Sequence, residues 1–306
     1  MKKILTTIIL LFLIFYIATN YERLMHYVMV NIVYHDEILE KENNSYATDR
    51  NWNYVKITDN FYPENKKDIL NVFYTALNGG WDELTFYCNE NYSNCLDDVE
   101  SLTDDNNLLS TINNFVPTYN SYSKININMN NLGRVNIVFN KIYTDEMINP
   151  INEKVDQIYQ SVTTEKMSTR EKIKAIHDYI INHTSYDENR ANEIKNGTTN
   201  AAYHTSNTAY GALINGKALC GGYTDAMALF LDKMNVPNYK IASSSHIWNY
   251  VYLDGKWLHL DLTWDDPVTN TGENRLEHNF FLITTEELEE KNTGQHNYDK
   301  SIYSET

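Results

Sequence analysis

Cysteine is scarce in this chain of 306 residues, where Cys88, Cys95 and Cys220 are the only three. So few exclude a small scaffold built from disulfides, and no C-x-x-C pair offers a zinc or redox motif. Neither an H-x-x-x-H nor an H-E-x-x-H spacing occurs, so no metal and no cofactor is expected. Proline numbers five, which leaves no proline-rich linker. Positive charge is short as well: 25 Lys and Arg stand against 41 Asp and Glu, a net charge of −16. Such a surface repels a phosphate backbone, and nucleic acid is excluded as a partner.

Long apolar runs are missing, with one exception. Lys2 and Lys3 precede a run from Ile4 to Ala18. Two lysines ahead of an apolar stretch mark an export signal. The run is short for a spanning helix, but no small-x-small cleavage site follows it. Residues 1–20 are therefore expected to be a signal peptide or, by preference, an uncleaved membrane anchor. The remainder would be exported, either anchored outside the cytoplasm or secreted.

What is present suits a globular protein, with 42% hydrophobic and 22% charged residues. The length allows about two packed units. A polar spacer is expected over 21–51, a mixed α/β unit over 52–149 and a second unit over 150–306. In the first, "PENKKDILNVFYTALNGG" predicts a helix with Pro63 in its first turn and Gly79 and Gly80 as its stop. Two β-rich stretches flank "NNLG", so 124–143 should be a hairpin. Cys88 and Cys95 bound a polar loop and are expected to pair as a disulfide.

In the second unit, Ser168 and Glu171 are spaced as a capping box ahead of "KIKAIHDYIINHTSYD". His177 and Asp178 look chemical, yet neighbours on a helix point about 100° apart, so the ordinary reading is a helix packing Ile173, Ile176 and Ile180. Thr284 and Glu287 form a second capping pattern before a solvated acidic face. Cys220 is different in kind. Ala226, Leu229, Phe230 and Met234 recur behind it at helical spacing, which places its sulfur at a helix start, where the dipole favours a thiolate.

Downstream, "HIWNYVYLDGKWLHLDLTW" holds Asp254-Gly255 between two β-rich runs, the signature of a two-residue type I′ hairpin. Pairing Leu253 with Lys256 sets Tyr250 opposite His259 and His246 opposite Thr263. His246 and Asp261 then lie diagonally on one face, within reach of a carboxylate-to-imidazole hydrogen bond. Helix-start cysteine, imidazole and orienting carboxylate are the parts of a nucleophilic triad. His259 shares the predicted face, and Asp265 or Asp266 before Pro267 could simply shape a turn.

The stretches "IHDYIINHTSYD", "AYGALINGKALCGGYTDA" and "HIWNYVYLDGKWLHLDLTWDDP" resemble the bacterial members of the transglutaminase-like superfamily, cysteine enzymes with a papain-like core. The resemblance implies an α+β fold with a helix-start cysteine packed on an antiparallel sheet, the small mixed α/β unit standing before it. It further implies Cys220 as nucleophile, His246 as general base and then acid, and Asp261 as orienting carboxylate. The Cys220 backbone N–H and a side chain from Tyr210 or Asn207 are the expected oxyanion donors. Protein-crosslinking transglutaminases carry a tryptophan directly after the cysteine, where this chain has Gly221. The expected activity is therefore attack on an amide through a thioester, first as a cysteine peptidase on surface protein or cell-wall peptide. An acyltransferase or crosslinking transglutaminase is the alternative, as is a catalytically silent binding module.

Overall fold

The computed structural model describes residues 2–28, 32, 62–88, 91–104, 106–197, 204–268 and 275–303. Helix α1 spans Lys2–Thr19 and α2 spans Tyr21–Val28, so the expected spacer begins as helix. Most of that spacer and the first residues of the mixed unit lie outside the described residues. Among the described residues no helix is long and apolar enough to cross a membrane. The expected anchor, and the membrane-anchored location with it, is thereby corrected. The physical reason is length: about 15 apolar residues at 1.5 Å each cover about 22 Å, against a hydrocarbon core of ~30 Å.

The chain forms two compact units, one holding Trp52–Leu109 and Lys124–Asn140, the other Ser110–Ser123 and Lys141–Thr306. In the first, α3 (Lys66–Asn78) is capped by the Asn65 side chain, which accepts from the Asp68 N–H at 3.0 Å. Pro63 thus lies ahead of the helix rather than in its first turn. Strands β1 (Glu83–Tyr87), β2 (Tyr122–Met129) and β3 (Arg134–Lys141) form a sheet in the order β1-β3-β2, with β2 and β3 as the expected hairpin. Leu84 pairs with Ile137 and Phe86 with Val135, which puts four buried side chains on one face. Between β1 and β3 in sequence come α4 (Cys95–Asp104) and α5 (Asn106–Ile112). Cys88 and Cys95 are disulfide-bonded, their Cα atoms 5.7 Å apart. Closing so short a loop stabilises by about 2.5 kcal/mol on the chain-entropy model.

The second unit is assembled on one buried helix. Its elements are α6 (Asp145–Val162), α7 (Thr169–His183), β4 (Ser185–Tyr186), α8 (Glu188–Lys195), β5 (Lys217–Ala218) and α9 (Cys220–Lys233). They continue with β6 (Asn238–Ala242), β7 (Ile247–Leu253), β8 (Lys256–Leu260) and α10 (Thr285–Glu290). Pro150 lies inside α6. The capping boxes at Ser168/Glu171 and Thr284/Glu287 both form. Tyr223, Ala226, Met227 and Phe230 of α9 pack with Ile151 and Ile158 of α6, Ile173, Ile176 and Ile180 of α7, and Val251, Leu258 and Leu260 of the sheet β6-β7-β8. A second apolar cluster gathers Tyr239, Ile241, Trp248 and Tyr250 with Phe280, Leu288 and Tyr303. An α+β class follows. The hairpin has the expected register, Leu253 opposite Lys256 and Tyr250 opposite His259. Asp254 and Gly255 have φ of 54° and 81°, the two left-handed residues that a type I′ turn demands.

An ion pair of Lys240 and Asp225 lies inside this core. Lys240 Nζ donates to Asp225 Oδ1 at 2.7 Å, and the Tyr143 hydroxyl donates to Asp225 Oδ2 at 2.5 Å, joining β6, α9 and the segment before α6. Removing one partner strands the other charge. Lys240→Ala is expected to cost about 3–5 kcal/mol, whereas Lys240→Met with Asp225→Leu should recover most of it. Urea denaturation of the two variants checks this.

Candidate active site

Helix α9 begins at Cys220, behind an extended Leu219 whose N–H donates to Ser206 O at 2.7 Å. The 206–208 segment therefore runs against the first turn of the helix. A Cβ on Gly222 would lie 2.6 Å from Ser206 O and 2.9 Å from Thr208 O, so only glycine permits this approach. A Cβ on Gly221 would lie 3.0 Å from Asn207 O, a tight approach. The Thr224 hydroxyl reaches Cys220 O at 2.8 Å and Ile247 O at 3.0 Å, and Asn249 Nδ2 donates to Thr224 O at 3.0 Å. These bonds tie the Cys220 turn to β7, beside His246.

His246 sits one residue ahead of β7. The ladder to β8 ends at Asn249 and Leu260, so His246 and Thr263 are not a ladder pair. The strand instead releases Asp261, whose N–H donates to Phe280 O at 3.1 Å. The diagonal contact forms all the same, with His246 Nε2 donating to Asp261 Oδ2 at 2.5 Å. His246 is 6% exposed and Asp261 2%. Burial pulls the His246 imidazolium down, but the Asp261 carboxylate and then nearby Cys220 override it and push the value up to about 10. Nε2 faces the carboxylate. Burial acts upward on Asp261, yet its two imidazole partners bring it down to about 2.

The second of those partners is His296, which the sequence did not suggest. His296 Nε2 donates to the same Asp261 Oδ2 at 2.9 Å, while Thr293 Oγ1 bonds His296 Nδ1. Its ring stacks on Phe280 at 5.0 Å and meets Trp248 and Trp264 at 4.8 and 5.1 Å. Asp261 Oδ1 accepts from the N–H groups of Thr263 and Trp264 at 2.9 and 3.2 Å. No motif surrounds His296; it is brought in by a turn over Gly294–His296. His259 is set apart from this group's chemistry. Its Nδ1 accepts from Trp248 Nε1 at 3.0 Å and its Nε2 faces Thr285 Oγ1 at 3.0 Å. Burial, then nearby His296, lowers its value to about 3.

The expected oxyanion side chains are placed differently from one another. Asn207 borders the first turn of α9 through its backbone, whereas Tyr210 packs against the apolar core. Tyr186 is a further group missed in the sequence. It pairs with Ala218 in the parallel β4-β5 ladder, two residues before Cys220. Burial first, and then Cys220 and Asp187, raise its hydroxyl pKa.

The ordinary reading of His177 and Asp178 holds for the helix, and the structure adds a polar contact between them. Ile173, Ile176 and Ile180 are buried as expected, but His177 is fully buried too, with Nδ1 2.9 Å from Asp178 Oδ1 and Nε2 3.2 Å from Asp265 Oδ2. Asp265 does more than shape a turn, since its Oδ1 accepts from Phe280 N–H at 2.9 Å. Asp266 Oδ2 accepts from the Tyr223 hydroxyl at 2.5 Å, and burial raises its carboxyl to about 6. Among the described residues, two groups have donors that could meet on a metal ion: His246, Asp261 and His296, and His177, Asp178 and His278.

Residues 156–262 match the family model of the transglutaminase-like superfamily. The second unit has a transglutaminase-like fold. Among solved structures, one described as a TGase is 21% identical with a TM-score of 0.36, covering 46% of this chain and 44% of its own. A candidate cysteine protease from Cytophaga hutchinsonii is 14% identical with a TM-score of 0.27, covering 46% and 61%. The chain thus spans less than two thirds of either, and likenesses so loose transfer nothing to it. No curated protein matches.

The His246–Asp261 pair makes stability depend on pH in a defined window. The raised His246 value means its contribution is complete below its ordinary value of 6.5 and is lost as pH rises through about 10. The lowered Asp261 value means its contribution is complete above 3.8 and is lost as pH falls through about 2. The stability gap between wild type and Asp261→Asn should therefore be widest between those ordinary values and shrink on both sides. Thermal unfolding across pH measures it.

Proposed function

We propose that the second unit is a transglutaminase-like cysteine enzyme that transfers an acyl group from an amide to an amine through a Cys220 thioester. The observation that carries this reading is the buried His246 imidazole hydrogen-bonded to Asp261, with Cys220 near enough to help raise its pKa. Cys220 Sγ attacks the amide carbonyl carbon while its proton passes to His246 Nδ1. The tetrahedral adduct collapses as His246 returns that proton to the leaving amine, and a thioester remains. An incoming amine then attacks the thioester, its proton goes to His246 and on to Sγ, and the new amide departs. The N–H of Cys220, a first-turn donor without an intrahelical acceptor, is the natural oxyanion partner. Asn207, Tyr210 and Tyr186 are the side chains available to join it, and His296 acts as a positioning residue through Asp261.

Acyl transfer rather than hydrolysis is supported by dryness. His246 and Asp261 are buried, and Trp248, Trp264 and Phe280 surround His296 beside them. An amine acceptor is favoured over water to the extent that such burial limits water at the thioester. Gly221 supports the other reading, since no tryptophan follows the cysteine. On that reading water resolves the thioester and the protein is a cysteine peptidase. The substrate in either case is a protein or peptide.

Incubation with a glutamine-bearing protein and a labelled primary amine separates these readings. Label incorporated by wild type, and none by Cys220→Ala, is the expected result. Release of acid or peptide fragments without label makes it a peptidase, and no acyl adduct on Cys220 by mass spectrometry overturns both in favour of a binding module. Asp261→Asn should lower the rate by about four orders of magnitude. His296→Ala removes a charge-assisted hydrogen bond, worth ~1.5–3 kcal/mol, and should slow turnover at least about tenfold while shifting its pH profile.

A further inference from the structure

Apart from Cys220, α7 and the segment around His278 bring together donor atoms whose hydrogen bonds cannot all be made with protons. His177 Nδ1 and His278 Nε2 lie 2.9 and 2.7 Å from the same oxygen, Asp178 Oδ1. His278 Nε2 is also 2.9 Å from Lys174 Nζ, which in turn donates to Asp178 Oδ2 at 2.6 Å. A ring nitrogen carries either a proton or a lone pair. It cannot donate to the carboxylate and accept from the ammonium at once, so one of these close contacts is unfavourable. A cation among the three atoms removes the conflict, because each then turns a lone pair toward it.

The surroundings of His177 fit the same reading. Its other nitrogen bonds Asp265 Oδ2 at 3.2 Å, in a fully buried position. An imidazole that ligates through one nitrogen while a carboxylate fixes the other is the usual outer arrangement of a metal-bound histidine. His278 and Asp178 are partly exposed, which gives an ion a way in.

We propose that His177 Nδ1, Asp178 Oδ1 and His278 Nε2 bind one divalent transition ion. Two imidazoles and a carboxylate suit Zn2+, with water as fourth ligand. Arms of ~2.0 Å set a tetrahedral edge of about 3.3 Å, so the donors separate by about half an ångström on binding. Lys174, about half exposed, swings into solvent. The ion joins α7 to the segment that follows Asp261, because Asp265 also holds Phe280 N–H, and Phe280 O holds Asp261 N–H. Its task is therefore structural. The spacing motifs of zinc enzymes miss it, since Asp178 and His278 are 100 residues apart.

The test uses the full chain, stripped with a chelator and titrated with Zn2+ alone against a chromophoric competitor. Thermal unfolding and the visible spectrum of the Co2+ form are recorded alongside. One equivalent should bind and raise the unfolding midpoint. His278→Ala, a partly exposed position, and Asp178→Asn as a second variant should each weaken binding at least tenfold and abolish the rise, while His296→Ala leaves both intact. The proposal is overturned if wild type binds no Zn2+ at micromolar free metal or if both variants bind as tightly as wild type. It fails equally if only His296→Ala loses the ion, which would place it at Asp261. The readout is metal and stability, so the acyl-transfer reading stands or falls separately.

Discussion

The second unit depends on one buried carboxylate. Asp261 accepts four hydrogen bonds, two from imidazoles and two from the backbone of the turn that follows it. A carboxylate so placed without donors would be too costly to ionise. Each donor therefore constrains the chain that carries it. His246 is fixed at the head of β7, the 263–264 turn is fixed behind β8, and the C-terminal segment is drawn in so that His296 can complete the shell. The backbone pairing of Asp261 with Phe280 sets the carboxylate at the required height.

Around this shell the fold acts chiefly to hold α9. The helix is apolar over nearly its whole circumference, and its buried polar groups all have assigned partners in other segments. Asp225 is held by Lys240 and Tyr143, Tyr223 by Asp266, and Thr224 by Ile247 and Asn249. Sliding α9 along its axis would break all three sets together. The Cys220 turn is thus placed relative to His246 by contacts spread over two turns of helix, and Gly222 lets the 206–208 segment close over its start.

His177 and Asp265 form a second buried polar contact in this unit. Burial lowers the His177 value, but carboxylates on both ring nitrogens outweigh it and raise the net value. The contact connects α7 to the strand-end segment bearing Asp261 and Asp265, so helix packing and the geometry at Asp261 are coupled through the 261–265 turn.

Local chemistry was legible in the sequence wherever the partners were close along the chain. Asp254-Gly255 fixed its own turn and the register of β7 against β8, two capping boxes set helix starts, and a seven-residue separation brought Cys88 to Cys95. The contact of His246 with Asp261 could be expected because one hairpin carries both. Errors arose where a local signal was outweighed by its surroundings: Pro63 precedes its helix, and the apolar run of α1 falls short of a membrane's thickness. Only the tertiary structure decided the rest. His296 reaches Asp261 across 35 residues, Asp265 reaches His177 across 88, and His278 reaches Asp178 across 100. Periodicity reports which side chains leave water, because burial repeats with the helix or the strand. A polar contact between distant segments has no period, and it exists only once the apolar faces have packed and brought the two backbones within hydrogen-bonding distance.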